Sequence, residues 1–400
     1  MGYKKRLGIY IHIPFCLSKC AYCDFNSAPP SSEDMIPKYI DALIHHFESY
    51  ADAARDYEVD SVFIGGGTPT SIPPAELFRL IKAVKKNFGL LNPRASSRVE
   101  FSVEANPATV QYSTLRRMRR MGVNRLSIGL QSANEDELKM LSRIHTRRDF
   151  LDSYKMAREA KFTNINVDLM FGIPCQTADS LSRTIRYVTS KHPEHISLYD
   201  LKIEPGTAFY RDYDKIAPYL PGEDNEADMY RMAIDQLRDA GYLQYEISNF
   251  ARPGHMCVHN LKYWNCDEYL GFGVSAHSYF NGNRFSFTPD LGKYIQGVTE
   301  PDSKIRITAE CEQITERERM GEYVMLRLRL VAGIKEEDFI TRFGCSFGSI
   351  YGKKCRKYIE GGYMIKDSDS YSLTPEGMFV SNYILSDILE FDDLGRHVFA

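Results

Sequence analysis

Leu7-Gly8-Ile9-Tyr10-Ile11-His12-Ile13-Pro14-Phe15-Cys16-Leu17-Ser18-Lys19-Cys20-Ala21-Tyr22-Cys23 decides how the chain is read. Leu7–Ile13 is short, apolar and β-branched, the pattern of a strand covered on both faces. Its end delivers Cys16, Cys20 and Cys23 on one loop. Three soft thiolates so close together can grip one face of a metal cluster. A closed zinc site wants four ligands, usually as two separated pairs, and no second pair stands at suitable spacing. Three ligands on a four-iron cluster leave one iron open for chemistry. Zinc with a distant fourth ligand and a chance grouping of inert thiols are the competing readings. Cys175, Cys257, Cys266, Cys311, Cys345 and Cys355 are scattered and read as small buried hydrophobes.

Outward from this stretch, strand-like and helix-like segments alternate. Val59–Ile64, Val99–Val103, Arg125–Leu130, Asn164–Phe171 and Ile196–Ile203 read as five further strands. Helical spacing fills the gaps at Met35–Tyr50, Pro74–Phe88, Ser113–Met121, Glu135–Leu141, Asp149–Ala160 and Ser180–Thr189. This is the rhythm of βαβ units on a parallel sheet, open or closed into a barrel. It changes at Glu223: Ala227–Ala240 reads as a helix, Tyr242–Phe250 as a strand and Ala251–Asp267 as irregular. Leu270–Phe280 and Arg284–Phe287 flank Asn281-Gly282-Asn283, a hairpin signal. Pro and charges interrupt the pattern near Gly297–Thr308, and the rest is helical apart from a two-stranded wing at Gly361–Leu373. The expected divisions are 1–240, 241–300 and 301–400.

Composition excludes several classes. With 43% hydrophobic and 26% charged residues over 400 positions, the composition is ordinary globular usage, so disordered and fibrous classes are out and the βαβ rhythm makes the expected class α/β. A net charge of −3, from 50 basic and 53 acidic residues, gives no electrostatic case for nucleic acid or an anionic membrane. The winged-helix-like C-terminal part, residues 311–400, holds 12 basic and 15 acidic side chains, so it too is not expected to bind nucleic acid. The longest uncharged stretches, Ser61–Ala75 and Tyr269–Asn283, are too short and too rich in Gly and Pro for an integral membrane segment. The basic start, Met1 to Arg6, leads into only a short apolar run. No signal peptide is expected, and the cytoplasm is the expected compartment. Nine cysteines, an odd number, then point to thiol or metal chemistry rather than disulfides.

In parallel βα barrels, ligand chemistry gathers at the carboxyl ends of the strands. The second strand ends in Gly65-Gly66-Gly67-Thr68-Pro69-Thr70, where missing Cβ atoms let backbone groups approach a ligand. A tight turn is the plainer reading. The third ends in Glu104, the fourth in Gln131 and Ser132, and the fifth carries Asp168 inside the apolar run Val167–Phe171. A carboxylate there is costly unless paired, through a ligand or a structural cap. Arg143 could pair with a ligand carboxylate, with Asp168 or with a surface acid.

Cys-x3-Cys-x2-Cys after the first strand of a βα-repeat domain resembles the radical S-adenosylmethionine (SAM) superfamily. The strand ends match the subfamily that includes oxygen-independent coproporphyrinogen III dehydrogenase and the HemW-type haem chaperones. The resemblance covers nearly the whole chain. It implies a partial (β/α)6 radical SAM barrel with a small C-terminal helical, winged-helix-like domain. It also implies a [4Fe–4S] cluster on Cys16, Cys20 and Cys23. By the same resemblance Tyr10, Gly66 and Glu104 fall where the family contacts cluster-bound SAM. Tyr22, Gly67, Thr68, Gln131, Arg143 and Asp168 fall where it contacts a second SAM.

Two features separate the chaperone from the dehydrogenase. The dehydrogenase motif has a fourth cysteine two residues beyond the third, where this chain has Phe25. His259-Asn260-Leu261-Lys262-Tyr263-Trp264 fits the His-Asn-x-x-Tyr-Trp motif of the HemW type. A neutral imidazole such as His259 is a natural haem ligand, and Tyr263 and Trp264 offer flat surface for a porphyrin. Plain packing roles are the alternative, with His255 and Cys257 as rival ligands and His277 less favoured. The leading expectation is a carrier that binds haem, the cluster and SAM and passes haem to an acceptor protein the sequence does not identify. The alternatives are coproporphyrinogen III dehydrogenase, which decarboxylates two propionates oxidatively, or another radical SAM activity on a tetrapyrrole.

Overall fold

A computed structural model describes residues 4–92, 98–300 and 305–389. Residues 1–3, ahead of the basic Lys4, Lys5 and Arg6, part of the expected junction near residue 300 and the chain end from residue 390 lie outside the described residues. Six strands lie side by side in chain order, all parallel: β1 (Arg6–Ile13), β2 (Glu58–Gly66), β3 (Glu100–Ala105), β4 (Arg125–Gln131), β5 (Ile165–Phe171) and β6 (His195–Asp200). Crossover helices Met35–Ala51, Pro74–Asn87, Tyr112–Met121, Arg147–Glu159 and Ala178–Thr189 cover the outer face. Their starts follow local chemistry. Pro74 occupies the first turn, where its missing N–H costs nothing, and Thr146 with Asp149 and Thr177 with Ser180 form capping boxes.

The pleat of β1 shows how the layers divide. Leu7, Ile9, Ile11 and Ile13 are fully buried, as are Tyr39, Ile40, Leu43 and Phe47 of the first crossover helix. Each such side chain contributes roughly 1.5–3 kcal/mol by leaving water. The alternate residues Gly8, Tyr10 and His12 face the concave side, and there the sheet is polar.

The barrel is open. β1 and β6 do not pair with each other. At the β6 edge, Tyr242–Phe250 forms not one strand but two short ones, β7 (Leu243–Gln244) and β8 (Asn249–Ala251), with β8 antiparallel to β6. At the β1 edge, β9 (Tyr269–Phe272) runs parallel to β1. The expected strand Leu270–Phe280 is therefore two strands, β9 and β10 (His277–Phe280). β10 pairs with β11 (Asn283–Phe287) across a turn with positive φ at Asn281 (51°) and Gly282 (75°), which matches strand twist. β12 (Thr308–Gln313) completes this edge although it follows residue 300.

The region expected to be irregular contains the helix Val258–Trp264. Its start is capped from far away. Glu100, the first residue of β3, accepts hydrogen bonds from the Val258 and His259 N–H groups at 3.1 Å each. A carboxylate there satisfies orphan donors and the positive end of the helix dipole. The last part of the chain packs helices Glu316–Arg327, Glu336–Phe343 and Phe347–Glu360 against a small sheet of β13 (Ile334–Lys335), β14 (Met364–Lys366) and β15 (Ser370–Leu373), a winged-helix-like arrangement. Among the described residues, no helix is long and apolar enough to cross a membrane.

Candidate functional site

The loop after β1 is tied at its ends. Ala28 N–H donates to Pro14 O at 3.0 Å and Cys16 N–H to Ala28 O at 3.2 Å. Cys16, Cys20 and Cys23 are half-buried and face one cavity of about 280 Å³ at the carboxyl ends of the strands. The same cavity is lined by Tyr22, Gly66, Gly67, Thr68, Glu104, Gln131, Arg143 and Asp168. Tyr10 stands below them, in an adjoining chamber of about 160 Å³ that shares Glu104, Ser127, Asp168 and Tyr199 with the cavity.

Each strand end is shaped for this approach. At Gly67 a Cβ would lie 2.7 Å from Phe15 O and 3.1 Å from Cys16 Sγ, so any side chain would press on the cysteine loop. Gly66 has φ +105°, and a Cβ there would lie 2.4 Å from the His12 ring. That ring holds the loop through Asn26 O at 3.0 Å and meets the Tyr10 hydroxyl at 3.0 Å. Gly66→Ala is therefore expected to destabilise the full chain by more than the ~1–3 kcal/mol of backbone strain alone. A urea midpoint equal to wild type would contradict this. Gln131 sits at φ 69° where the β4–β5 register slips, a bulge that re-aims its side chain.

The charged groups are already networked. Glu104 Oε2 accepts from Gly66 N–H at 3.0 Å, and burial, with the nearby Asp168 charge, lifts its carboxyl to about 8. Asp168 accepts from Ser127 Oγ at 2.9 Å and Asn166 Nδ2 at 2.7 Å. Arg143 donates to Gly129 O at 2.9 Å and to Cys20 Sγ at 3.4 Å, beside Tyr22. Its buried Nε has no partner among the described residues. A buried unmet donor on the guanidinium that reaches Cys20 is what an absent anionic or carboxylate group would complete.

The donor chemistry fits a cluster better than a lone ion. Among the described residues, no three His, Cys, Asp or Glu side chains converge tightly enough for one metal ion. A four-iron cube takes its thiolates at separate corners. Sequence reading missed Ser127 and Asn166. Polar residues alternating with apolar ones in Arg125-Leu126-Ser127 and Asn166-Val167-Asp168 share the concave face, and that period was the available signal.

The second candidate group borders the adjoining chamber from the other end: His259, Asn260 and Tyr263 line it together with Tyr10, Glu104 and Asp168. The helix Val258–Trp264 closes the barrel at the amino ends of the strands, away from the cysteines. His259 is 1% exposed, with Nδ1 2.9 Å from Ser61 Oγ and Nε2 2.8 Å from the Tyr263 hydroxyl. Its ring lies against Phe63 and Tyr10, and burial lowers its pKa to about 3. Both ring nitrogens of His259 therefore have hydrogen-bond partners in this conformation, and iron ligation would have to displace one of them. Cys257 is also buried, its thiol 3.4 Å from Glu100. Tyr263 extends to a third cavity, on the far side of the helix, which His277 also lines. Trp264 is half-buried and lines none of the three cavities.

Fold and site together define a radical SAM protein. Residues 10–188 match the profile of the Radical SAM superfamily and residues 314–380 that of the HemN C-terminal domain. The solved structure of Escherichia coli coproporphyrinogen III oxidase HemN, a radical SAM enzyme, superposes with a TM-score of 0.82 at 24% identity, covering 96% of this chain and 90% of that one. The heme chaperone HemW of Bacillus subtilis is 36% identical over 95% of this chain and 98% of its own length. Its counterpart in Escherichia coli is 32% identical over 95% and 97%. The chain belongs to the HemW heme chaperone family.

Proposed function

We propose that this protein is a haem carrier that holds a [4Fe–4S] cluster on Cys16, Cys20 and Cys23 and SAM at the strand ends, and delivers haem to an acceptor protein. The observation that carries the cofactor reading is the single cavity shared by three thiols, two glycines without room for a side chain, and Glu104, Gln131, Arg143 and Asp168. Haem is the cargo named for the relatives. The bound cluster would supply an open iron and one electron for SAM cleavage. The protein's own groups do the rest: Arg143 steadies Cys20 and offers its free Nε to a carboxylate, and Glu104 waits for a cation. Nine free thiols support a reducing compartment, the cytoplasm.

Phe25, 56% exposed, stands where the dehydrogenase reading needs a fourth cysteine. This observation favours the carrier over decarboxylation. Product analysis after anaerobic incubation with SAM and coproporphyrinogen III tests this. Intact tetrapyrrole is expected, and decarboxylated product would sink the carrier reading.

Glu104 sets a pH dependence. Its carboxyl must lose a proton to pair with the positive charge of SAM. Below about 8 the neutral form dominates, so SAM affinity should weaken as pH falls, by up to about tenfold per unit. Glu104→Gln should bind about ten- to a hundredfold more weakly at pH 8.5 and lose that dependence. A sloping profile kept in the variant would assign the proton elsewhere.

A further inference from the structure

A roomier cleft opens where β9, β10 and β11 meet the helices Glu316–Arg327 and Glu336–Phe343. Two adjoining spaces of about 310 and 700 Å³ share Cys266, Asp267, Tyr279, Arg319 and Arg342. The β-strand period sets the wall. His277 and Tyr279 of β10 point into the cleft, while Ser278 and Phe280 between and after them are buried. Arg284 of β11 lies in register with Tyr279 and adds to the same wall. Phe343 and the ring of Tyr263 supply flat apolar surface.

The polar groups are unequally engaged. His277 is exposed, and its imidazole makes no hydrogen bond among the described residues. Three acids are present, and two are occupied: Glu322 pairs with Arg284, and Glu268 lies 3.6 Å from Lys5. Asp267 is the third. Arg342 donates to the Asn265 and Cys266 carbonyls at 3.0 and 3.1 Å, lies 5.0 Å from the Tyr323 ring centre and feels the Asp267 carboxyl, while neither it nor Arg319 forms a salt bridge within 4 Å among the described residues. An imidazole without a hydrogen bond, aromatic walls and two guanidinium groups without a close salt bridge together suit a flat, metal-centred dicarboxylate.

We infer that this cleft is the haem site: His277 ligates the iron, Tyr263, Tyr279 and Phe343 flank the ring, and Arg319 and Arg342 receive the propionates. The inference rests on the haem-carrier reading. It also gives the His-Asn-x-x-Tyr-Trp segment a different part. His259 ligates nothing; its bond to the Tyr263 hydroxyl fixes a ring of the cleft wall from behind. His259 is thus a positioning residue.

The test is titration of the full chain with hemin, read by the Soret band and by affinity, with far-ultraviolet circular dichroism as a folding control. His277→Ala should shift the Soret maximum and weaken binding at least about tenfold. Arg319→Glu, at an exposed position, should weaken binding about tenfold or more with the Soret maximum unmoved. His259→Gln should keep the wild-type Soret position. If wild type binds hemin and both His277→Ala and Arg319→Glu match it, the site is elsewhere. A Soret shift in His259→Gln but not in His277→Ala would also overturn the assignment. If folded wild type binds no hemin, the carrier reading itself falls.

Discussion

Replacing Cys16, Cys20 and Cys23 together by alanine is expected to take reconstituted iron from about four per chain to none and to remove the broad absorption near about 400 nm. The cause is the isolation of the triplet. The other thiols in the chain are scattered, and none lines the strand-end cavity. No neighbouring ligand can therefore take over. The fold should survive, because the three thiols are only half-buried and the loop is tied by backbone bonds at residues 14, 16 and 28. SAM binding should fall with the cluster, which would supply the open iron that holds it. Iron and sulfide analysis checks the first loss, and equilibrium dialysis with SAM the second. Full iron retention in the folded triple variant would remove the basis of the site.

Lys262→Met is expected to destabilise the chain by about 3–5 kcal/mol. Lys262 is 3% exposed in its side chain and lies 2.7 Å from Asp60, itself 15% exposed. Its stem crosses Gly8, where a Cβ would come within 2.7 Å of Lys262 Cδ. The methionine keeps the stem but leaves Asp60 without a counter-charge where water cannot compensate. The double variant Asp60→Asn, Lys262→Met should recover most of the loss, which separates the ion pair from packing. Urea unfolding of the two variants checks both statements. A single variant as stable as wild type would mean that the floor of the barrel does not depend on this pair.

What could be read from the sequence was local chemistry. The cysteine triplet is visible because eight residues contain it, and the six parallel strands because apolar runs alternate with helical spacing. Glu104, Gln131 and Asp168 could be found because strand ends in such folds face one side. What stayed hidden depends on distant partners. The helix Val258–Trp264 starts on a carboxylate from Glu100, far away in sequence. The imidazole of His259 suits iron in isolation, and only Ser61 and Tyr263 show that its nitrogens are taken. Leu270–Phe280 reads as one strand because both halves are apolar, yet β9 pairs with β1 and β10 turns back. The cleft behind His277 exists only because the C-terminal helices pack over β10 and β11, a contact no period in the sequence announces.

The most direct measurement is an anaerobic ultraviolet–visible titration of the cluster-loaded full chain with hemin, with and without SAM. The expected result is a saturating Soret band at one hemin per chain, superimposed on unaltered cluster absorption. The contradicting result is a cluster-loaded, SAM-binding chain that retains no hemin.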